Sequence, residues 1–321
     1  MHTPIALVFP GQGSQSLGML SELAAEHPLV KHVFDEVSHV LNEDIWTLVS
    51  EGPLERLNQT EYTQVAMLAA DVAVFRVLQS QAKLPETMYL AGHSLGEYAA
   101  LVCAEALSLS DAAMLVRKRG QLMQETVPLG KGAMAAIVGL DDDVVEALCE
   151  RVSRPESLVE PANYNAIGQV VVAGHAEAVS LAVEEAQQLN ARLAMVIPVS
   201  VPCHCELLRP ASLRFESFVL TTPFMKPKYP VLSTVDLSQY ETIEAIQSNL
   251  IAQLYLPVRW VELIQKLHAH HVKYIFECGP GKVLSGLVKR IEKTLPVQSI
   301  YHPASLNDAL LILNQLKDSH E

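Results

Sequence analysis

The stretch from Met88 to Leu107 limits what this chain can become more than any other. Met88-Tyr89-Leu90-Ala91 is a short apolar run, Gly92 stops it, and a helical-looking segment follows from Glu97 to Leu107. A short apolar run bounded by turn residues reads as a buried strand. Strand, tight glycine turn, then helix is the unit of α/β sheets that carry their sites at strand ends. Between the two lies Gly92-His93-Ser94-Leu95-Gly96, which fits G-x-S-x-G. The pentapeptide alone is common, but flanked in this way it is the pattern of a nucleophile elbow. The turn would push the Ser94 hydroxyl outward, toward the N–H groups of the following helix. The Leu95 amide is then one natural oxyanion donor. The competing reading is a glycine-lined turn with a passive serine.

The rest of the chain supports a sheet around that unit. Ile5-Ala6-Leu7-Val8-Phe9 reads as a buried strand ended by Pro10-Gly11, and Val65 to Leu78 as a mostly buried helix. The middle reads as strand Ala133–Val138, helix Asp141–Val152, strands at Leu158-Val159 and Val170–Val172, helix Ala176–Leu189 and strand Leu193–Val199. That β-α-β-β-α-β order is ferredoxin-like. Alternation resumes with a strand at Val231-Leu232, helices Ile243–Leu254 and Val261–His270, a strand at Tyr274–Phe276 and a helix from Val283 to about Lys293. A last helix is expected to start at Ser305. The expected fold is α/β: an α/β-hydrolase-like large domain with a parallel sheet over 1–127 and 199–321, and an inserted ferredoxin-like small domain over 128–198.

Composition narrows the class. Half of the 321 residues are apolar and 18% are charged, enough for a large core and wrong for a disordered chain. No stretch holds eighteen consecutive apolar residues, so no membrane span is expected. The N-terminus lacks a basic segment followed by a long apolar one, so no signal peptide is expected. The net charge of −13 does not attract nucleic acid. Five cysteines, few and odd in number, argue for a reducing compartment, hence the cytoplasm.

A serine hydroxyl needs a base. Among twelve histidines, His93 would point away from Ser94 across the turn. His204 ends the Pro-punctuated run Val196–Pro202 at the expected domain junction, and His302 and His175 remain alternatives. Cys203-His204-Cys205 suggests metal ligation, but neighbours on an extended segment face opposite ways and no C-x-x-C completes a set. No metal is expected.

Several separated motifs together carry a resemblance. They are Phe9-Pro10-Gly11-Gln12-Gly13-Ser14-Gln15, the elbow extended to Glu97-Tyr98, Arg117-Lys118-Arg119-Gly120 and Gly132-Ala133-Met134-Ala135-Ala136. Pro198 to His204, Gln253-Leu254-Tyr255 and Gly279-Pro280-Gly281-Lys282-Val283-Leu284 complete the set. In this order, over nearly the whole length, the chain resembles the malonyl-CoA:acyl-carrier-protein transacylases of bacterial fatty-acid synthesis.

The resemblance implies that Ser94 carries the malonyl group as an ester and that His204 is base, then acid. It implies that Gln12 joins Leu95 as oxyanion donor, and that a backbone carbonyl near Gln253 orients the histidine. Arg119 would hold the free malonyl carboxylate, to which a guanidinium can make two parallel hydrogen bonds. Residue pattern alone would leave Arg119 as an exposed base on the helix after Leu109. The resemblance places Asn163 and Asn165 near the pocket, Asn165 as a polar liner. Cys203, Leu256 and Ser233-Thr234 depart from the family's usual residues.

The implied partners are malonyl-CoA and acyl carrier protein. CoA and phosphopantetheine are substrates and no cofactor is needed. The alternative is an acyltransferase or acyl hydrolase acting in trans for a polyketide pathway. A monomer is expected. Two basic clusters, Arg117-Lys118-Arg119 and Lys282, Lys289, Arg290 and Lys293, could relieve the repulsion between an acidic carrier and an acidic chain.

Overall fold

The computed structural model describes residues 3–199 and 201–318. Ser200, in the run leading to His204, lies outside the described residues, as do Met1 and His2. Among the described residues, two sheets are built from β1 (Ile5–Phe9), β2 (Met88–Gly92), β3 (Gly132–Val138), β4 (Val159–Ala166), β5 (Gln169–His175), β6 (Leu193–Val196), β7 (Val231–Leu232), β8 (Tyr274–Cys278) and β9 (Val297–Ile300).

The larger sheet has the order β7-β2-β1-β8-β9, and every pairing is parallel. Strand β1 sits at its centre and is wholly buried. Its alternation serves two layers: Ile5, Leu7 and Phe9 face one apolar cluster with the helix Thr60–Gln81, while Ala6 and Val8 face another with Trp260 and Leu263. Burial on both faces is why these strands read as continuous apolar runs. The register sets Phe9 opposite Gly92, so the loop after β1 and the elbow after β2 emerge side by side.

The second sheet has the order β4-β5-β3-β6 and is antiparallel throughout. With the helices Asp142–Val152 and Ala176–Gln188 it forms the ferredoxin-like arrangement expected from the element order. One face packs on those helices through Ile137, Val145, Leu148, Val170, Val172 and Val179. The other face presents Met134, Ala162, Val171 and Ala173 toward Cys205. The observed architecture is therefore the expected α/β class, with one parallel and one separate antiparallel sheet.

Several boundaries differ from expectation. The helix after the elbow ends at Cys103 rather than Leu107. Glu105 turns into the left-handed region at φ 60, and the N–H groups of Glu105 and Ala106 bond Val102 and Leu101 carbonyls. This is a Schellman ending with Glu in the position usually given to Gly. Strand β6 stops at Val196, before Pro198, which has no N–H for a ladder. The last helix begins at Pro303, two residues before Ser305, because His302 Nδ1 accepts the Ser305 N–H at 3.1 Å and caps it. The helices between Ser21 and Leu57, the helix Arg209–Thr221 and strand β9 were not anticipated.

Candidate active site

The elbow depends on two close approaches. A Cβ on Gly92 would lie 1.9 Å from the Gly96 carbonyl carbon, and one on Gly96 would lie 2.0 Å from the Phe9 carbonyl oxygen. A side chain at Gly92 would collide with the start of the elbow's own helix, and one at Gly96 would force the turn away from the end of β1. Between them Ser94 takes φ 53, a left-handed conformation that is uncommon outside glycine. The hydroxyl opens into a cavity of about 190 Å³ between the two sheets.

His204 meets Ser94 there, with Nε2 2.8 Å from Ser94 Oγ. The other ring nitrogen, Nδ1, lies 2.7 Å from the Gln253 carbonyl oxygen. A carbonyl only accepts, so Nδ1 carries the proton and Nε2 is bare, ready to accept the serine proton. His204 is also held at φ 62, and its N–H donates to the Leu254 carbonyl at 3.0 Å. Both reacting residues thus sit in a sparsely populated backbone region, of the kind found where structure is fixed for function. Burial, followed by the nearby Arg119 charge, pushes the His204 pKa down to about 3. The ring is neutral at pH 7.

Arg119 is only 1% exposed, so it is not the surface residue that pattern alone suggested. One guanidinium nitrogen, Nη2, donates to Ser94 Oγ at 3.2 Å and to Gln253 Oε1 at 3.0 Å. Its Nε has no partner among the described residues. A buried cation held by neutral acceptors beside a nucleophile is a site for an anion.

Gln253 links these groups. Its side-chain NH2 donates to the Ser94 carbonyl at 3.1 Å and to Glu97 Oε2 at 2.9 Å, while its own carbonyl fixes His204. Gln12 lies exposed on the loop after β1 and lines the pocket with buried Leu95. Gln15 steadies that loop by accepting the Gly13 N–H at 2.7 Å. Asn163 and Asn165 line the pocket from β4. Asn165 Oδ1 lies 2.8 Å from His93 Nε2, so its side chain ties the antiparallel sheet to the elbow. Burial lowers the His93 pKa, against which the Asn165 hydrogen bond works.

The structure does not bring the alternative bases together with Ser94. His302 caps the last helix, and His175 Nδ1 accepts the Leu158 N–H at 2.9 Å at the end of β5. The cluster at 117–119 is not a docking patch either. Arg117 pairs with Glu43 and Glu61, Lys118 lies over Phe218, and Arg119 faces the pocket. All five cysteines are free, and burial pushes the Cys203 thiol up to about 11. No role was legible in the sequence for Glu97, named only within the elbow motif, or for its partners Thr234, named only as a departure from the family's usual residues, and Tyr240. The available signal was a carboxylate on a helix whose other residues are apolar and tightly packed.

A bare imidazole poised on an elbow serine, with a cation beside both, defines a class: enzymes that move acyl groups through a serine ester. The chain belongs to the acyl transferase domain family, whose model matches residues 6–300. It is 47% identical over 309 residues to the malonyl CoA-acyl carrier protein transacylase of Salmonella typhimurium, covering 96% of this chain and 99% of that one. The Bacillus subtilis protein of the same name is 41% identical, with 98% and 99% covered. The solved structure of the Coxiella burnetii malonyl CoA-acyl carrier protein transacylase superposes with a TM-score of 0.95 at 45% identity, covering 98% of each chain. A malonyl-transacylase in complex with its type II PKS acyl-carrier protein superposes at 0.94, with 45% identity and 97% and 100% covered.

Proposed function

We propose that the protein transfers malonyl from malonyl-CoA to the phosphopantetheine thiol of an acyl carrier protein, supplying malonyl carrier for fatty-acid synthesis. The observation that carries this reading is Arg119, a buried guanidinium without a carboxylate partner among the described residues, 3.2 Å from the nucleophile. A malonyl thioester brings a second carboxylate that matches it; an acetyl thioester does not.

The first half-reaction begins as Ser94 Oγ attacks the thioester carbonyl and its proton passes to His204 Nε2. The tetrahedral oxyanion is received by the backbone N–H groups of Leu95 and Gln12. Collapse breaks the C–S bond, and the CoA sulfur leaves with the proton returned from Nε2. In the second half-reaction the phosphopantetheine thiol gives its proton to Nε2 and its sulfur attacks the ester carbonyl. Breaking the C–O bond returns the proton to Ser94. A malonyl carboxylate on Arg119 also offsets the positive charge that depresses His204, so the correct substrate strengthens its own base. CoA and phosphopantetheine enter as substrates, and no cofactor or metal takes part.

The carrier docks, in this reading, beside the helix Val283–Ile291, whose Val283, Leu284 and Leu287 line the pocket and whose flanks carry exposed Lys282, Lys289 and Lys293. Arg290 is less available, because its guanidinium donates to Gln169 Oε1 at 2.5 Å. In this reading the protein acts as a cytoplasmic monomer. Among the described residues no helix is long and apolar enough to cross a membrane. A second reading, supply of a polyketide carrier in trans, is favoured by the likeness to the transacylase solved with a type II PKS carrier.

Replacing Arg119 by Ala tests the substrate. Malonyl transfer should fall on the order of a hundredfold further than acetyl transfer, as kcat/KM for each thioester. Equal losses would make Arg119 a structural residue and remove the argument for malonyl. Kinetics with purified fatty-acid and polyketide carriers would separate the two pathways.

A further inference from the structure

Glu97 is fully buried, immediately behind the elbow, and the reaction described above does not use it. Its two oxygens receive donors only. Oε1 takes the Tyr240 hydroxyl; Oε2 takes the Thr234 N–H at 3.2 Å, the Thr234 hydroxyl at 2.8 Å and the Gln253 NH2 at 2.9 Å. Burial raises the carboxyl pKa, and these hydrogen bonds oppose the rise.

The Thr234 N–H fixes the chemistry, because a backbone amide can only donate. Oε2 is therefore an acceptor. With the Ser94 carbonyl at 3.1 Å, which also only accepts, it requires the NH2 end of the Gln253 amide on its side. The opposite end, Oε1, is then turned toward Arg119 Nη2 at 3.0 Å. Reversed, the amide would set an NH2 against a guanidinium, donor against donor, and would drive Arg119 away from Ser94. We infer that Glu97 is a positioning residue for acyl-group selection: as the shorter of the two acceptors that hold the Gln253 NH2, beside the Ser94 carbonyl, it keeps Gln253 Oε1 on Arg119 and so aims the guanidinium at the substrate's second carboxylate. A neutral amide stands between the acid and the base. Had Glu97 met Arg119 directly, it would have occupied the donors that the substrate needs.

This inference rests on the malonyl reading, and its test separates the two. The measurement is kcat/KM for malonyl-CoA and acetyl-CoA, with melting temperature, for the wild type, Glu97→Gln, Glu97→Met and Thr234→Val. Glu97→Gln can keep an acceptor at the Oε2 position, so its malonyl-to-acetyl ratio should stay within about threefold of wild type. Glu97→Met leaves the amide held on that side by the Ser94 carbonyl alone, and the ratio should fall by about tenfold or more, mostly through a higher KM for malonyl-CoA. Thr234→Val loosens the same oxygen and keeps the test alive should the Met variant not fold; its ratio should fall about two- to threefold.

Equal losses on both substrates in Glu97→Met would reduce Glu97 to a structural residue and overturn the inference. So would an unchanged ratio in Thr234→Val, or a Gln variant as unselective as the Met variant. A wild type with no preference for malonyl would overturn the substrate reading, and the inference with it. A wild-type preference that survives in Glu97→Met would overturn the inference alone.

Discussion

The two sheets differ in what their faces are for. Both faces of the parallel sheet are buried under helices, and the reacting serine emerges from the end of a strand. Only one face of the antiparallel sheet is closed by its own helices; the other, with Met134 and Val171, becomes a wall of the pocket. Ser94, His204, Arg119 and Gln253 all lie outside the antiparallel unit, which contributes apolar side chains and the amides of Asn163 and Asn165. Bond-making and recognition of charge thus belong to one part of the chain, while the other adds a wall to an acyl chamber that Met123, Leu284 and Leu287 line from the first.

The largest effect that can break this division is on the base. His204→Ala should lower transfer of every acyl group by about 10³-fold or more. A loss confined to one acyl group would place His204 in selection instead. The wild-type pH profile sharpens the point. With the ring held at about 3 rather than its ordinary 6.5, acylation kcat/KM should show no acid limb near 6.5. The sign for stability follows. Below 6.5 the unfolded imidazole takes a proton that the folded one refuses, so stability present above 6.5 is lost as pH falls toward about 3.

A smaller, different effect is expected from the antiparallel wall. Met134 lies on β3 at 5% exposure, and Met134→Ala should widen the chamber. The preference for malonyl over a branched methylmalonyl group should fall by about tenfold, with malonyl kcat nearly kept. An equal loss of both would show that the wall supports the catalytic groups rather than sizing the substrate. The smallest effect lies outside both sheets. Lys289→Glu should raise the carrier KM a few-fold and flatten its salt dependence, leaving acylation by malonyl-CoA alone. An unchanged carrier KM would move the docking surface elsewhere.

What could be read from the sequence follows the same boundary between local and distant. The elbow was legible because strand, glycines, serine and helix are contiguous, and each glycine answers to a contact within or beside the turn. The ferredoxin-like order was legible from alternating periods. The Ser94–His204 contact was not, because it spans 110 residues, and pattern alone left His175 and His302 open; the family resemblance decided among them. Arg119 reads as exposed until the packing of its helix is known. Gly120 lets that helix approach so closely that a Cβ there would fall 2.6 Å from Glu61 Cα, and Arg119 faces the pocket. Glu97 depends on Thr234, Tyr240 and Gln253, all more than 130 residues away, and no local pattern encodes such a set.

The most direct test of acyl transfer through Ser94 is intact-protein mass spectrometry after brief exposure to malonyl-CoA and then to acyl carrier protein, with Ser94→Ala beside it. The predicted result is one malonyl adduct, absent from the Ala variant, that disappears from the protein as the carrier gains the same mass. An adduct that persists in Ser94→Ala, or one that is lost to water without reaching the carrier, would contradict the account.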